Sequence, residues 1–292
     1  MCSSGDGTSG VTIAMATHAD TSGAYAAAAR GGYLVFLLLL LGWIDALPIP
    51  WFDREPGGVV SFNYHPLFMG VAFVVLMPEA LMVYADVEER RGMPHRDAKN
   101  LHAALNGGAT VLLMIGLAVI FANHAGHGIP PMYSAHSWLG ILTASLVACQ
   151  ALVGTAAYLV PSALGVTQET RAALMPHHRF LGCVTFLLGV ATCAAGLAEK
   201  QAFTKCAPDP TDKFCAAMRL PNLLAVAAVF VAACTMGAVY ARWTDRERAN
   251  TARGGTRAAE FDPRDDPEAS ARLVSVSASD AHLRRRQNEG ED

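Results

Sequence analysis

Apolar residues gather in six runs along the chain, at about residues 24–47, 62–86, 99–122, 134–160, 174–199 and 221–243, with short polar segments between them. A helix rises about 1.5 Å per residue, so roughly 20 apolar residues cross a hydrocarbon core about 30 Å thick, and every run is long enough. The pattern predicts an all-α membrane protein with six transmembrane helices. The first run is built on the unbroken apolar stretch Leu34 to Leu41. It does not read as a signal peptide, because residues 1–23 contain no Lys or Arg to form a positive leading segment. Alanine and glycine recur in the later runs, as in membrane helices that approach one another closely.

This division predicts an N-terminal segment over 1–23, a six-helix body over 24–243 and a tail over 244–292. Both flanking segments lack apolar periodicity, and the tail mixes charges of both signs with Pro, Ser and Gly, so disorder is expected there. Composition agrees with the apolar pattern. Hydrophobic residues make up 52% of the 292 positions and charged residues 16%, against about 25% charged in soluble domains. A soluble globular enzyme is thereby disfavoured. The net charge of −3 leaves no surplus of cations for nucleic acid. Seven cysteines are too few for a disulfide scaffold. Cys206 and Cys215 nevertheless share the last outer loop, where a disulfide is chemically allowed. The run Gly5 to Gly10 formally matches a dinucleotide-binding loop, but no strand can precede it.

Six spans put both termini on one side, and the distribution of Lys and Arg identifies it. Arg30, Arg90, Arg91, Arg96, Lys99, Arg171, Arg179 and the arginines from Arg242 onward fall with the termini; Arg54, Lys200, Lys205, Lys213 and Arg219 fall opposite. Both termini are therefore expected in the cytosol.

Four histidines open four successive spans: His65 the second, His102 the third, His136 the fourth and His178 the fifth. Successive helices alternate in direction, so His65 and His136 meet at the outer side, and His102 and His178 at the cytosolic side. An ionisable residue inside a span is costly and marks function by default. Paired imidazoles across helices suit a metal ion or a haem iron. Small residues follow each histidine, namely Gly70, Gly107, Gly140 and Gly182, with Gly189 and Gly196 continuing the stripe of the fifth span. A porphyrin edge lies along a helix only where side chains are small. Zinc would recruit Cys, Asp or Glu, and none lies one turn from these histidines. Two axial histidines leave the iron no open position, which suits electron transfer.

Several segments carry a resemblance: Phe62-Asn63-Tyr64-His65-Pro66-Leu67, Ala80-Leu81-Met82-Val83-Tyr84, Lys99-Asn100-Leu101-His102, Tyr133-Ser134-Ala135-His136-Ser137-Trp138, Met175-Pro176-His177-His178 with Gly182, and Gly196-Leu197-Ala198-Glu199-Lys200. Together they resemble the eukaryotic cytochrome b561 family. The resemblance implies a homodimer of six-helix chains in which spans two to five form a four-helix bundle around two b haems. It selects His178 over His177 as the fifth-span ligand. It further implies electron transfer from cytosolic ascorbate to a ferric chelate or monodehydroascorbate outside the cytosol, in a vesicle, vacuole or plasma membrane. By the same resemblance Lys99 and Arg171 bind ascorbate, Tyr133, Ser134 and Glu199 border the outer haem, and His124 and Asn222 belong to the acceptor site. Ala85 and His95 depart from the family pattern, which has cations there, so the inner anion site is expected to be either weaker or rebuilt from Arg90, Arg91 or Arg96. Pro78 and Glu79 lie inside the second span, where the proline predicts a kink and Glu79 either a structural partner for freed backbone, the preferred reading, or an aid to proton movement. A histidine-lined metal transporter without haem is the alternative.

Overall fold

The computed structural model describes residues 7–51, 61–206, 209, 211 and 215–260, with side chains from Thr21 to Thr251. All regular structure among these residues is helical: α1 (Gly7–Ala46), α2 (Tyr64–Glu88), α3 (His95–His127), α4 (Ala135–Leu159), α5 (Gln168–Phe203) and α6 (Ala216–Glu260). Each contains a stretch long and apolar enough to cross a membrane. Both α1 and α6 outrun the expected spans, since α1 starts at Gly7 and α6 continues past Thr244 to Glu260. Beyond Thr244 the polar sequence is still rich in helix formers such as Arg, Glu and Ala, which favours continuation over a break. The rest of the expected tail, 261–292, lies outside the described residues, as do 1–6.

The chain divides into two units, one ending at Arg242 and the other beginning at Trp243. The first contains the apolar spans and every histidine discussed above. Within it, the face where α1 begins is called proximal and the opposite face distal. Several helix ends are fixed locally. Gly128 closes α3 in the left-handed region at φ 66°, satisfying terminal carbonyls. Ser134 and Thr167 cap α4 and α5, each side-chain oxygen accepting a backbone N–H at 3.2 Å. Cys206 and Cys215 form a disulfide across the distal loop between α5 and α6.

Two features of packing position the site. The core is a band of apolar side chains in which Phe36, Leu40, Trp43 and Ile44 of α1 meet Leu224 and Val231 of α6 and Phe73 of α2. Trp43 Nε1 donates to the Ala217 carbonyl at 3.2 Å, so even the aromatic N–H of this band is satisfied. Large apolar side chains such as Leu38, Trp138, Phe180 and Val226 point outward, as expected where lipid is the solvent. The second feature is the irregularity of α2. It alternates α-helical segments Tyr64–Gly70 and Met77–Met82 with π-helical turns Val71–Leu76 and Val83–Glu88. Another π turn, Thr155–Leu159, ends α4. Such turns are uncommon and gather at functional sites.

Pro78 sits in the first turn of Met77–Met82, where its missing N–H is tolerated. Glu79 does not bond freed backbone. It takes both Nε and Nη2 of Arg30 from α1 at 2.7 and 2.9 Å, and the Tyr33 hydroxyl at 2.9 Å. The third Arg30 nitrogen reaches fully buried Asp86 at 2.6 Å, and Arg90 and Arg91 close on the same carboxylate at 2.7 and 2.8 Å.

Candidate functional site

The alternation of α2 to α5 brings the four histidines together in two pairs. His65 faces His136 with ring centroids 6.2 Å apart, and His102 faces His178 at 6.4 Å. A metal–imidazole bond of about 2.0 Å plus the half-width of each ring puts two opposed axial ligands roughly 6 Å apart between centroids. Both pairs have that spacing. Three of the four rings are also oriented by the chain. His65 Nδ1 bonds the Gly116 carbonyl at 3.0 Å, His102 the Ala80 carbonyl at 2.8 Å and His136 the Thr192 carbonyl at 3.0 Å. Anchoring Nδ1 turns Nε2 toward the facing ring, the arrangement that metal-ligating histidines adopt. His178 Nδ1 is buried with no protein partner. Asn106 approaches His102 Nε2 at 3.3 Å.

Room for a flat macrocycle is visible on the distal side. A cavity of about 800 Å³ holds His65 and His136 in its wall, together with Gly140, Gly196 and Phe73. A Cβ on Gly196 would stand 2.7 Å from His136 Cε1, so glycine lets that ring seat itself. On the proximal side Gly107 and Gly182 border open space. The residues fit a haem at each pair. The glycine stripe is not devoted wholly to that purpose: a Cβ at Gly70 would meet Leu40 and Phe36 of α1, and one at Gly189 would meet Phe73 of α2. Those two glycines allow close helix packing.

At the proximal pair, Tyr84 lies 5.3 Å from His102 and Tyr158 5.4 Å from His178, centroid to centroid. Tyr158 also joins the two cations singled out for the anion site. Lys99 Nζ donates to its carbonyl at 3.3 Å, and its hydroxyl donates to the Arg171 carbonyl at 3.2 Å. The Arg171 guanidinium bonds Gln168 and keeps a buried Nε without a protein partner. Arg90 and Arg91 do not rebuild this site, because both are committed to Asp86. Arg96 is exposed, and His95 bonds Glu88 at 2.8 Å.

At the distal pair, Ser134 caps α4 and donates to Glu199 Oε2 at 2.9 Å, so one residue both starts the helix of His136 and holds the carboxylate of α5. Tyr133 stands close enough to Glu199 for the carboxylate to act on its phenol. Its ring lies 6.2 Å from His124, and His124, Glu199 and Lys200 all line the cavity mouth. Lys200 spreads over the Phe62 ring at 4.5 Å. Asn222 lies apart from this group, exposed near the start of α6. The hydrogen bond to Glu199, then burial, then the carboxylate charge push the Tyr133 phenol up to about 12, against an ordinary value near 10. Tyr133 therefore remains a donor throughout neutral pH. A raised value means that the neutral phenol's stabilisation is complete below about pH 10 and is lost as pH rises toward 12. The difference in alkaline absorbance titration between the native chain and Tyr133→Phe should have its midpoint near 12; a midpoint near 10 would show that Glu199 does not act on this phenol.

Comparison with known proteins gives a consistent result. The profile for eukaryotic cytochrome b561 matches residues 64–204, from the start of α2 to the end of α5. A transmembrane ascorbate-dependent reductase of Ovis aries is 36% identical over 176 residues, covering 59% of this chain and 68% of the relative. A lysosomal membrane ascorbate-dependent ferrireductase of Rattus norvegicus is 40% identical over 147 residues, covering 50% and 56%. Transmembrane ascorbate ferrireductase 2 of Arabidopsis thaliana is 32% identical over 183 residues, covering 59% and 76%. The matched segments contain all four histidines, and the chain belongs to the eukaryotic cytochrome b561 family.

Proposed function

We propose that the chain is a transmembrane oxidoreductase that takes electrons from cytosolic ascorbate at the proximal face and delivers them to a ferric chelate or monodehydroascorbate at the distal face. The observation that carries this reading is the pair of imidazole–imidazole spacings, 6.2 and 6.4 Å, at opposite ends of the same four helices. His65 and His136 hold one b haem and His102 and His178 the other; when bound, the two supply a one-electron relay across the membrane. The chain's own groups do the rest. Backbone carbonyls of Gly116, Ala80 and Thr192 fix the ring orientations. Names of the relatives, which include ascorbate-dependent reductases and ferrireductases, support the donor and the ferric acceptor. The proximal face is cytosolic by its excess of arginine, with both termini on that side. The protein acts as a homodimer in a vesicle, vacuole or plasma membrane.

Ascorbate is an anion at neutral pH, and Lys99 and Arg171 offer it charge-assisted hydrogen bonds beside Tyr158. Such bonds contribute about 1.5–3 kcal/mol each. Lys99→Ala or Arg171→Ala should therefore weaken apparent ascorbate affinity about tenfold or more while leaving reduction by dithionite unchanged. Equal slowing with both reductants would remove these residues from the donor site. On the distal face, Tyr133, His124 and Glu199 line the cavity where the acceptor arrives, with Ser134 holding the carboxylate; Asn222, exposed near the start of α6, contacts the acceptor from outside this group.

A histidine-lined metal transporter is the competing reading. Purified chain should contain two haems and show a reduced b-type spectrum on adding ascorbate. Stoichiometric zinc or copper in folded, haem-free protein would support the transporter instead.

A further inference from the structure

The largest ionic cluster in the apolar body has no part in the function proposed above. Arg30 of α1 grips Glu79 with two nitrogens and Asp86 with the third, and Tyr33 adds a hydroxyl to Glu79. Charges at this depth are costly and are retained where they do something. A purely structural tie between α1 and α2 could be made by the apolar contacts already present. The position of Glu79 suggests a more specific task. Its neighbour Ala80 supplies the carbonyl that accepts His102 Nδ1–H at 2.8 Å, the shortest of the three carbonyl anchors.

Residues Met77–Met82, which include both Glu79 and Ala80, are one short α-helical segment between two π turns. A π turn breaks the regular i to i+4 ladder, so this segment is poorly constrained by its own helix at either end. The Arg30 fork constrains it from outside. Bidentate guanidinium–carboxylate pairing fixes orientation as well as distance, which a single-point contact does not. Asp86, in the second π turn, is held by the same guanidinium and by Arg90 and Arg91. The clamp thus grips the helix on both sides of the Ala80 carbonyl.

We propose that Arg30 and Glu79 are positioning residues for the proximal haem ligand His102, acting through the Ala80 carbonyl. The inference rests on the reading that His102 and His178 hold the proximal haem. A hydrogen bond from Nδ1–H to a carbonyl makes the imidazole a better electron donor to iron and stabilises the oxidised state. His178 has no such protein partner, so the His102 anchor sets this property for the proximal pair. Loosening the clamp weakens the anchor and makes that haem easier to reduce.

Electrostatics alone makes a different forecast. Removing the Glu79 charge would raise the potential, whereas removing the Arg30 charge would lower it. Loosened positioning raises it in both cases. The test is a spectroscopic redox titration of the full chain carrying both haems, with Glu79→Ala, Glu79→Gln and Arg30→Met. Glu79→Ala and Arg30→Met should each shift the proximal reduction equilibrium upward by about three- to tenfold, at most about 59 mV for a one-electron couple. Glu79→Gln keeps the side-chain shape and one acceptor oxygen, so its shift should be smaller. The distal potential should stay unchanged and certifies the fold. Opposite signs for Glu79→Ala and Arg30→Met, equal shifts for Glu79→Gln and Glu79→Ala, or no shift overturns the inference. If Arg30→Met loses its haems, the comparison of the two Glu79 variants decides alone. A native chain without a haem dependent on His102 overturns the underlying assignment instead, leaving the clamp without its target.

Discussion

Replacing His102 or His178 by alanine should leave the purified chain with one haem in place of two, and replacing His65 or His136 should remove the other. The expectation follows from the geometry of the pairs. Among the described residues each of the four imidazoles faces one partner imidazole at about the spacing two axial ligands require, and the two pairs lie at opposite ends of the bundle. Alanine supplies no ligand atom, so the affected pair keeps a single imidazole. Changes to groups that merely orient a metal ligand cost about 10–100-fold in affinity; loss of the ligand itself should exceed that and abolish binding at the affected pair. Haem per chain, measured by pyridine haemochrome absorbance, should fall by half. Electron transfer across sealed vesicles should stop in all four variants. Dithionite-reduced spectra should separate them into two classes, His65 with His136 and His102 with His178. If His65→Ala and His102→Ala abolished the same spectral component, the division by face would be wrong.

A second large effect is expected far from any ligand. Gly189 lies in the fifth span against α2, and a Cβ there would stand 2.2 Å from Phe73 Cδ1 and 2.5 Å from Cε1. Phe73 is buried in the core and cannot swing into lipid without leaving it. Gly189→Ala must therefore push α5 away from α2 or force Phe73 off its rotamer. Overpacking of this kind costs about 1–3 kcal/mol. Separating α2 from α5 would also move His65, His136 and His178 relative to one another, so haem retention on heating should fall with stability. Phe73→Leu introduced together with Gly189→Ala should restore most of the loss, because the two residues share one space and their effects are not additive. Thermal denaturation followed by haem release measures both. Gly189→Ala with unaltered stability would show that the helices part without cost.

The spans and the histidine pairs were legible in the sequence because both are one-dimensional signals. Run length fixes what crosses a membrane, and alternation of direction fixes which histidines share a face. The partners of those histidines were not legible. Gly116, Ala80 and Thr192 act through backbone carbonyls, which every residue has, so no side chain marks them. The Arg30 clamp joins positions 49 and 56 residues apart, and in the sequence Arg30 looked like an ordinary cytosolic-side cation. Glu79 reads in the sequence as a partner for freed backbone or an aid to proton movement, and its partner is the Arg30 guanidinium, which is 49 residues away and carries no local signal. Tyr158 carries no distinguishing spacing, yet it connects Lys99, Arg171 and His178. The glycines show the converse: one pattern in the sequence serves two purposes, with Gly196 seating a ring and Gly70 and Gly189 admitting neighbouring helices.

The irregular turns of α2 have an evolutionary consequence. A π turn accommodates one residue more than an α turn, and each residue rotates a helix by about 100°. Deleting one residue within Val71–Leu76 or Val83–Glu88 can be absorbed by tightening that turn, with the flanking faces kept in register. Deleting one within Met77–Met82 has no such reserve and would turn Glu79 from Arg30 and Ala80 from His102 together. Chain length along this helix therefore has a reserve at two places, where a deletion spares Phe73 and Asp86, and none between them.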